Sequence, residues 1–366
     1  MQKLLIAVMI CFFGMSATAQ TINSSLGALK VTNLAKGLDE PWAVAILPDG
    51  RYLVTERKGR LWLFDGQGGR QRISGVPKVF DSGQGGLLDV VAARDFVQTS
   101  EVFLTFAKPQ SAGAGTALVV AKLDQEQARL DNVRLLFEMK AGNAGGVHFG
   151  SRVVEAPDGS LFVTVGERGN RPLAQDLSMH NGSVVHVSRS GQVPDGNPFV
   201  GSNGALPEIW SYGHRNPQGA ALDASGQLWV VEHGAKGGDE VNRIKRGANY
   251  GWPVISYGAH YSGQKIGEGN AKQGMEQPAF YWDPSIAPSG LMIYSGKMFP
   301  EWKGDFFVGS LKFDHIARLD RKGETLSGAE QLSSRETGRV RDVREAPDGA
   351  IWFLSVDRRG LFRISR

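Results

Sequence analysis

One pattern recurs along this chain and limits what it can become. An apolar stretch runs into a turn rich in Asp and Gly, and a strand carrying an aromatic residue follows. The clear copies are AVAILPDGRYLVTERKGRLWLF (Ala43–Phe64), RVVEAPDGSLFVTVGERG (Arg152–Gly169), GAALDASGQLWVVEHG (Gly219–Gly234) and RDVREAPDGAIWFLSVDRRGLFRI (Arg341–Ile364). Two weaker copies cover Leu87–Ala107 and Gly304–Asp320. An Asp-Gly pair between runs of alternating polarity is a hairpin signal, and helical periodicity is nearly absent. Short antiparallel units repeated roughly 50–60 residues apart are the mark of propeller blades. The six copies predict an all-β, six-bladed β-propeller of four-stranded antiparallel blades. A two-sheet sandwich would not account for the repeat. The final GLFRISR is placed to pair with N-terminal sequence and close the ring.

Residues 1–19 read as a secretory signal peptide. Lys3 supplies a positive start, Leu4–Gly14 an apolar run, and Ala17-Thr18-Ala19 a small-x-small cleavage site. That run is too short to span a membrane, and no later stretch is long enough. The expected location is therefore periplasmic or secreted. No linker-like stretch divides residues 20–366, which read as one domain. The single cysteine, Cys11, lies inside the signal. The mature chain thus offers no disulfide, no thiol nucleophile and no zinc–thiolate site. A net charge of +4, with no basic run or aromatic-interleaved patch, gives no reason to expect a nucleic-acid partner.

In a propeller, strand ends and loops gather around the central channel on one face, and chemistry lives there. The polar residues beside the blade strands are therefore the candidates. AGNAGGVHFGSR (Ala141–Arg152) places His148 at the end of a glycine run, before the third copy. Gly166-Glu167-Arg168 follows that copy's strand. GHRNPQG (Gly213–Gly219) leads into the fourth copy, with EHGAKGGDEVN (Glu232–Asn242) and NYGWP (Asn249–Pro253) after it. Gln84 precedes the second copy, Lys312 sits in the fifth, and GRVRDV (Gly338–Val343) introduces the last.

The ordered set HFGSR, GHRNPQG, EHG-x4-DEVN, NYGWP and GRVRDV resembles the soluble aldose sugar dehydrogenases of the glucose/sorbosone dehydrogenase family, which depend on pyrroloquinoline quinone (PQQ). The resemblance runs from about Pro41 to the C-terminus. It implies a six-bladed propeller, agreeing with the repeat count, and oxidation of aldoses at the anomeric carbon with PQQ and Ca²⁺. PQQ is an ortho-quinone with three carboxylates, so fixed cations are needed to hold it. The resemblance assigns this to Arg215, Lys312, Arg339 and Arg341, with Gln84, Asn216 and Tyr261 as neutral partners. By the same resemblance His148 is the catalytic base, Glu167 orients and charges it, and Arg215 offsets negative charge on the quinone oxygen. The glycines before His148 are expected to let backbone approach the flat cofactor.

Calcium, a hard cation, takes oxygen ligands. The resemblance places one ion on the backbone oxygens of Gly234 and Ala235, with Asp239 supporting that loop. It places a second on the Glu240 carboxylate and the Tyr250 carbonyl. Tyr281 and Trp282, in FYWDPSIAPSG, match the substrate-side loop, though core packing suits either ring as well. The remaining partners are an aldose and an electron acceptor, quinone or cytochrome, with the chain acting as monomer or homodimer. Where relatives usually read Gly-Lys-x-x-Arg, this chain has Ser183 and His186, which puts packing of that blade in question. The long insertions of glucose-specialised members are absent, which implies a broader site for mono- and disaccharides. Two other readings are a calcium-dependent lactonase of the same fold and a non-catalytic glycan- or protein-binding propeller. The first needs several acidic side chains on one metal. The second has no use for the clustered cations.

Overall fold

The computed structural model describes residues 20–366; the expected signal peptide lies outside them. The chain forms six antiparallel sheets arranged as the blades of a propeller. The innermost strands of blades one to six are Pro41–Ile46, Leu87–Ala92, Val153–Glu155, Pro217–Leu222, Pro288–Ile293 and Val340–Glu345. Five blades have four strands each. The sixth has five, because Gly27–Ala35 pairs antiparallel with the C-terminal strand Gly360–Ser365, and Gln20–Ser24 adds outside it. The ring is thus closed by the two ends of the chain, with Val31 opposite Ile364. The one α-helix among the described residues is the single turn Phe96–Thr99.

The repeated turn has a repeated physical cause. Asp49, Asp158, Asp223 and Asp348 each accept, on Oδ1, the backbone N–H two residues on, at 2.9–3.0 Å. An Asx-type turn of this kind joins the inner strand to the second in blades one, three, four and six. The weak copy at Gly304–Asp320 holds the second and third strands of blade five, Phe306–Ser310 and Ile316–Lys322. Its inner strand lies upstream at Pro288–Ile293, because blade five has no Asp-Gly turn between its first two strands.

Blades pack face to face through apolar side chains from alternate strand positions. Trp229 of blade four meets Phe306 of blade five edge-on, with centroids 5.0 Å apart. The central channel holds a buried charge cluster instead of a hydrophobic plug. Arg152 donates to Asp89 and to the Gln218 carbonyl, lies 3.1 Å from Asp342, and covers the Trp42 ring. Arg344 bridges the same two aspartates. The second oxygens of Asp89 and Asp342 accept the N–H groups of Val153 and Val44. Two cations balance two carboxylates, and this cluster ties together inner strands from five blades.

Candidate active site

The N-terminal ends of the inner strands and the loops leaving the second strands open on one face. Together they line a cavity of about 960 Å³ to which all six blades contribute. Lys312, Arg339 and Arg341 share its wall with Gln84, Asn216 and Tyr261. Arg339 and Arg341 both reach it, as the same-side spacing of residues two apart in an extended chain allows; no irregularity is needed for this, although the ladder does shift register between Val340 and Asp342. Arg341 donates to Gln218 Oε1 at 3.0 Å, and Arg339 to the Leu311 carbonyl at 2.8 Å. Lys312 lies on the turn after Phe306–Ser310, not within a strand. Among the described residues none of these three cations has a carboxylate partner within salt-bridge distance. Burial, and then the neighbouring Arg152 and Arg339, push Arg341 down to about 9.

His148 stands beside this cavity, whose wall includes its neighbours Phe149 and Gly150. It adopts a left-handed backbone (φ 54°), uncommon for a residue with a side chain and frequent at functional sites. Its N–H donates to Gln84 Oε1 at 2.8 Å, and its Nδ1 lies 2.6 Å from Glu167 Oε1. Glu167 is fully buried, and its Oε2 has no protein partner. Burial lowers the His148 pKa; the Glu167 bond opposes this, and Arg215 adds to it. The imidazole is therefore neutral at neutral pH, with Nδ1–H given to Glu167 and Nε2 free to accept a proton. Arg215 is buried, and desolvation lowers its pKa. Its backbone N–H donates to Glu232 Oε2 at 2.6 Å, while its Nε is buried without a partner. Asn216 accepts from Gly150 and Gln218 through one oxygen, fixing the floor between blades three and four.

The glycine run before His148 serves the protein's own backbone. A Cβ on Gly142 would lie 2.2 Å from the Ala114 carbonyl, and one on Gly83 would lie 2.2 Å from the Gly146 oxygen. At Gly142 and at the Gly83–Gly146 contact the loop is thus pressed against blade two.

Gly234 and Ala235 lie in the cavity wall, and Asp239 holds their loop by accepting the Gly234 N–H at 2.8 Å. Glu240 and Tyr250 line a smaller adjoining space together with Glu232 and Arg215. Glu232 and Glu240 face each other across the ladder, bridged by Asn242 Nδ2 at 3.0 and 3.1 Å. Burial and the Glu232 charge raise the Glu240 pKa. Two facing carboxylates, with the Asn242 oxygen buried and unpartnered, suit a hard cation. No group of three His, Cys, Asp or Glu side chains able to hold a metal occurs among the described residues.

Tyr281 and Trp282 belong to the outermost strand of blade four, outside the cavity lining. Tyr281 stacks on Tyr257 at 4.1 Å, and Trp282 packs edge-on to Phe280. The segment reaches the cavity through the next residues, Asp283 to Ser285 and Ala287. His186 replaces the usual arginine in a closed polar slot, bonded to Asn197 and Ser160 and stacked on Phe162. Ser183 Oγ donates to the His180 carbonyl.

Residues that sequence reasoning passed over also line the site. Trp42 and Arg57 come from the first repeat, whose strand ends carry no motif. His233, given no role among the expectations above, also stands in the wall, bonded to the Pro288 carbonyl at 2.7 Å, and burial pushes it down to about 3. Its place inside the EHG motif was the available signal.

The glucose/sorbosone dehydrogenase family model matches residues 38–364, so the chain belongs to that family. It is 41% identical over 344 residues to the aldose sugar dehydrogenase YliI of Escherichia coli strain K12, covering 92% of this chain and 93% of that protein. The crystal structure of the soluble aldose sugar dehydrogenase from Escherichia coli, in its apo form, superposes with a TM-score of 0.89 at 39% identity, over 92% of this chain and 99% of that one. The PQQ-bound aldose sugar dehydrogenase from Streptomyces coelicolor superposes at 0.76 with 28% identity, over 92% and 98%. No helix among the described residues is long and apolar enough to cross a membrane.

Proposed function

We propose that this protein is a PQQ-dependent aldose sugar dehydrogenase, oxidising the anomeric hydroxyl of mono- and disaccharides to lactones with Ca²⁺ as a second cofactor. The observation that carries this is the cavity itself. Lys312, Arg339 and Arg341 line it with no carboxylate partner among the described residues, next to a half-buried His148 paired with the buried Glu167. Arg341 is desolvated and left without counter-charge, which is costly unless a ligand supplies it, while Lys312 and Arg339 are exposed and accessible to the same ligand. A tricarboxylate fits that need, and Gln84, Asn216 and Tyr261 stand in the same wall as neutral partners.

The chemistry divides between the chain and the cofactor. Bound PQQ supplies the two-electron acceptor for the hydride leaving C1 of the sugar. His148 Nε2 takes the hydroxyl proton as general base. Glu167 holds Nδ1–H and stabilises the imidazolium that forms. Arg215 brings a buried positive charge to the same region, suited to developing negative charge on oxygen. Gly234 and Ala235, on the loop pinned by Asp239, would hold a Ca²⁺ ion in the cavity wall; Glu240 and Tyr250 would hold another. The electrons then pass to a quinone or cytochrome. The enzyme works in the periplasm or outside the cell, as a monomer or homodimer.

A lactonase would need acidic side chains converging on one metal, and no such group of three is present among the described residues. The deciding experiment is reconstitution of the mature apo-protein. PQQ is added with and without Ca²⁺, and dye reduction is followed with glucose and a small aldose panel. Activity that needs both additions supports the assignment. Failure of PQQ to bind, by absorbance or calorimetry, ends it.

A further inference from the structure

Arg168 is fully buried, yet it forms no ion pair that would explain it. Its guanidinium donates to the carbonyls of Val147, Gly145 (2.6 Å) and Ala114 (3.2 Å). The same group lies over the Phe149 ring, 3.4 Å from its centroid. Its own carbonyl accepts from Asn143 Nδ2 at 2.8 Å, and Asn143 Oδ1 in turn accepts the Gly145 N–H. Its backbone is left-handed (φ 61°), like that of His148. Every one of these contacts falls on the segment around His148 or on the strand against which it is pressed.

That segment needs such a clamp. Residues 141–149 belong to no strand and so lack a ladder to satisfy their backbone groups. The Gly146 carbonyl goes to the Gln84 N–H, and the Asn143 N–H and C=O pair with Ala114. The carbonyls of Gly145 and Val147 have only Arg168 as a side-chain donor. A forked, planar donor meets several carbonyls at once; a lysine could meet them only as a point charge.

We propose that Arg168 is a positioning residue for the catalytic base: it locks the backbone that carries His148, while its neighbour Glu167 locks the imidazole ring. One dipeptide would thereby fix both the place and the tautomer of the base. This deepens the function proposed above and rests on it for its kinetic arm. The charged and titratable groups facing His148 are Glu167, Arg215, Arg168 and His233. The Arg168 charge is among those that hold the imidazole pKa down, after burial and Arg215.

The test compares wild type, Arg168→Gln and Arg168→Lys. In cofactor-free protein, amide hydrogen exchange is read over residues 143–149, and the His148 ring is titrated by NMR. In protein loaded with PQQ and Ca²⁺, kcat and KM are measured for glucose. For Arg168→Gln the expected result is loop exchange faster by about ten-fold or more and a higher His148 titration midpoint. Its kcat is expected to fall by ~10–100-fold, with KM and PQQ affinity within about three-fold. Arg168→Lys keeps the charge and should restore the midpoint but not the exchange protection. A folded Arg168→Gln with unchanged exchange, midpoint and kcat overturns the proposal. So does a loss of kcat with loop exchange as in wild type. If the glutamine variant does not fold, wild-type exchange and kcat in the lysine variant overturn it. If the wild type is inactive with PQQ, the functional reading fails, while exchange and titration still decide the clamp.

Discussion

At the residue scale, His148 and its partners determine how the site should respond to pH and to mutation. Burial and Arg215 hold the imidazole below its ordinary range, against the pull of Glu167. The base must be neutral to accept a proton, so kcat/KM should stay level as pH falls through neutrality. It should drop only below the usual histidine pKa of about 6.5; a pH–rate profile with a limb above that value would contradict the assignment. His148→Ala should lower kcat by ~10²–10⁴-fold while PQQ still binds, measured as dye reduction alongside absorbance titration. Arg341→Ala should act on the other term. Losing a charge-assisted contact of about 1.5–3 kcal/mol should weaken PQQ binding by roughly 10–100-fold, read by calorimetry. Both residues were legible in the sequence through their motifs. Trp42 and Arg57 were not, since a lone wall residue announces itself only once blades from distant sequence meet.

At the element scale, the ends of the strands and the loops between them build the site. Arg339 and Arg341 stand two residues apart, the spacing that puts side chains on one side of a strand, and both line the cavity beside the register shift in Val340–Glu345. Tyr281 and Trp282 do not share that wall. Aromatic residues in a substrate-side motif read the same whether they face ligand or core, and here the outer strand and its packing partners take them. The Glu232–Asn242 hairpin brings two carboxylates opposite each other. Glu240→Gln should therefore reduce the rise in Tm that Ca²⁺ gives the apo-protein. Saturation at 100 times Kd stabilises by about 2.7 kcal/mol, so calorimetry with and without Ca²⁺ should show most of that gain lost at this site. An unchanged Ca²⁺ response would remove Glu240 from the ligand set.

At the scale of the whole molecule, ring closure and the channel cluster hold the blades in register around the cavity. Arg152 touches Asp89, Asp342 and Gln218, so Arg152→Met leaves buried carboxylates short of charge. The expected cost is about 3–5 kcal/mol in urea unfolding. Loss within 0.5 kcal/mol would show that Arg344 alone suffices. The six-fold repeat, the Asp-Gly turns and the all-β class were written in local sequence, because turn chemistry and alternating polarity act over a few residues. Pairing of the chain ends was also legible, from a last strand left without a neighbour. The family motifs named His148, Glu167 and the cations one by one. Sequence could not say which carbonyls Arg168 grips, or that Arg152 balances aspartates from two other blades. Those contacts join residues far apart in the chain, and they exist only after six separately formed blades close into one ring.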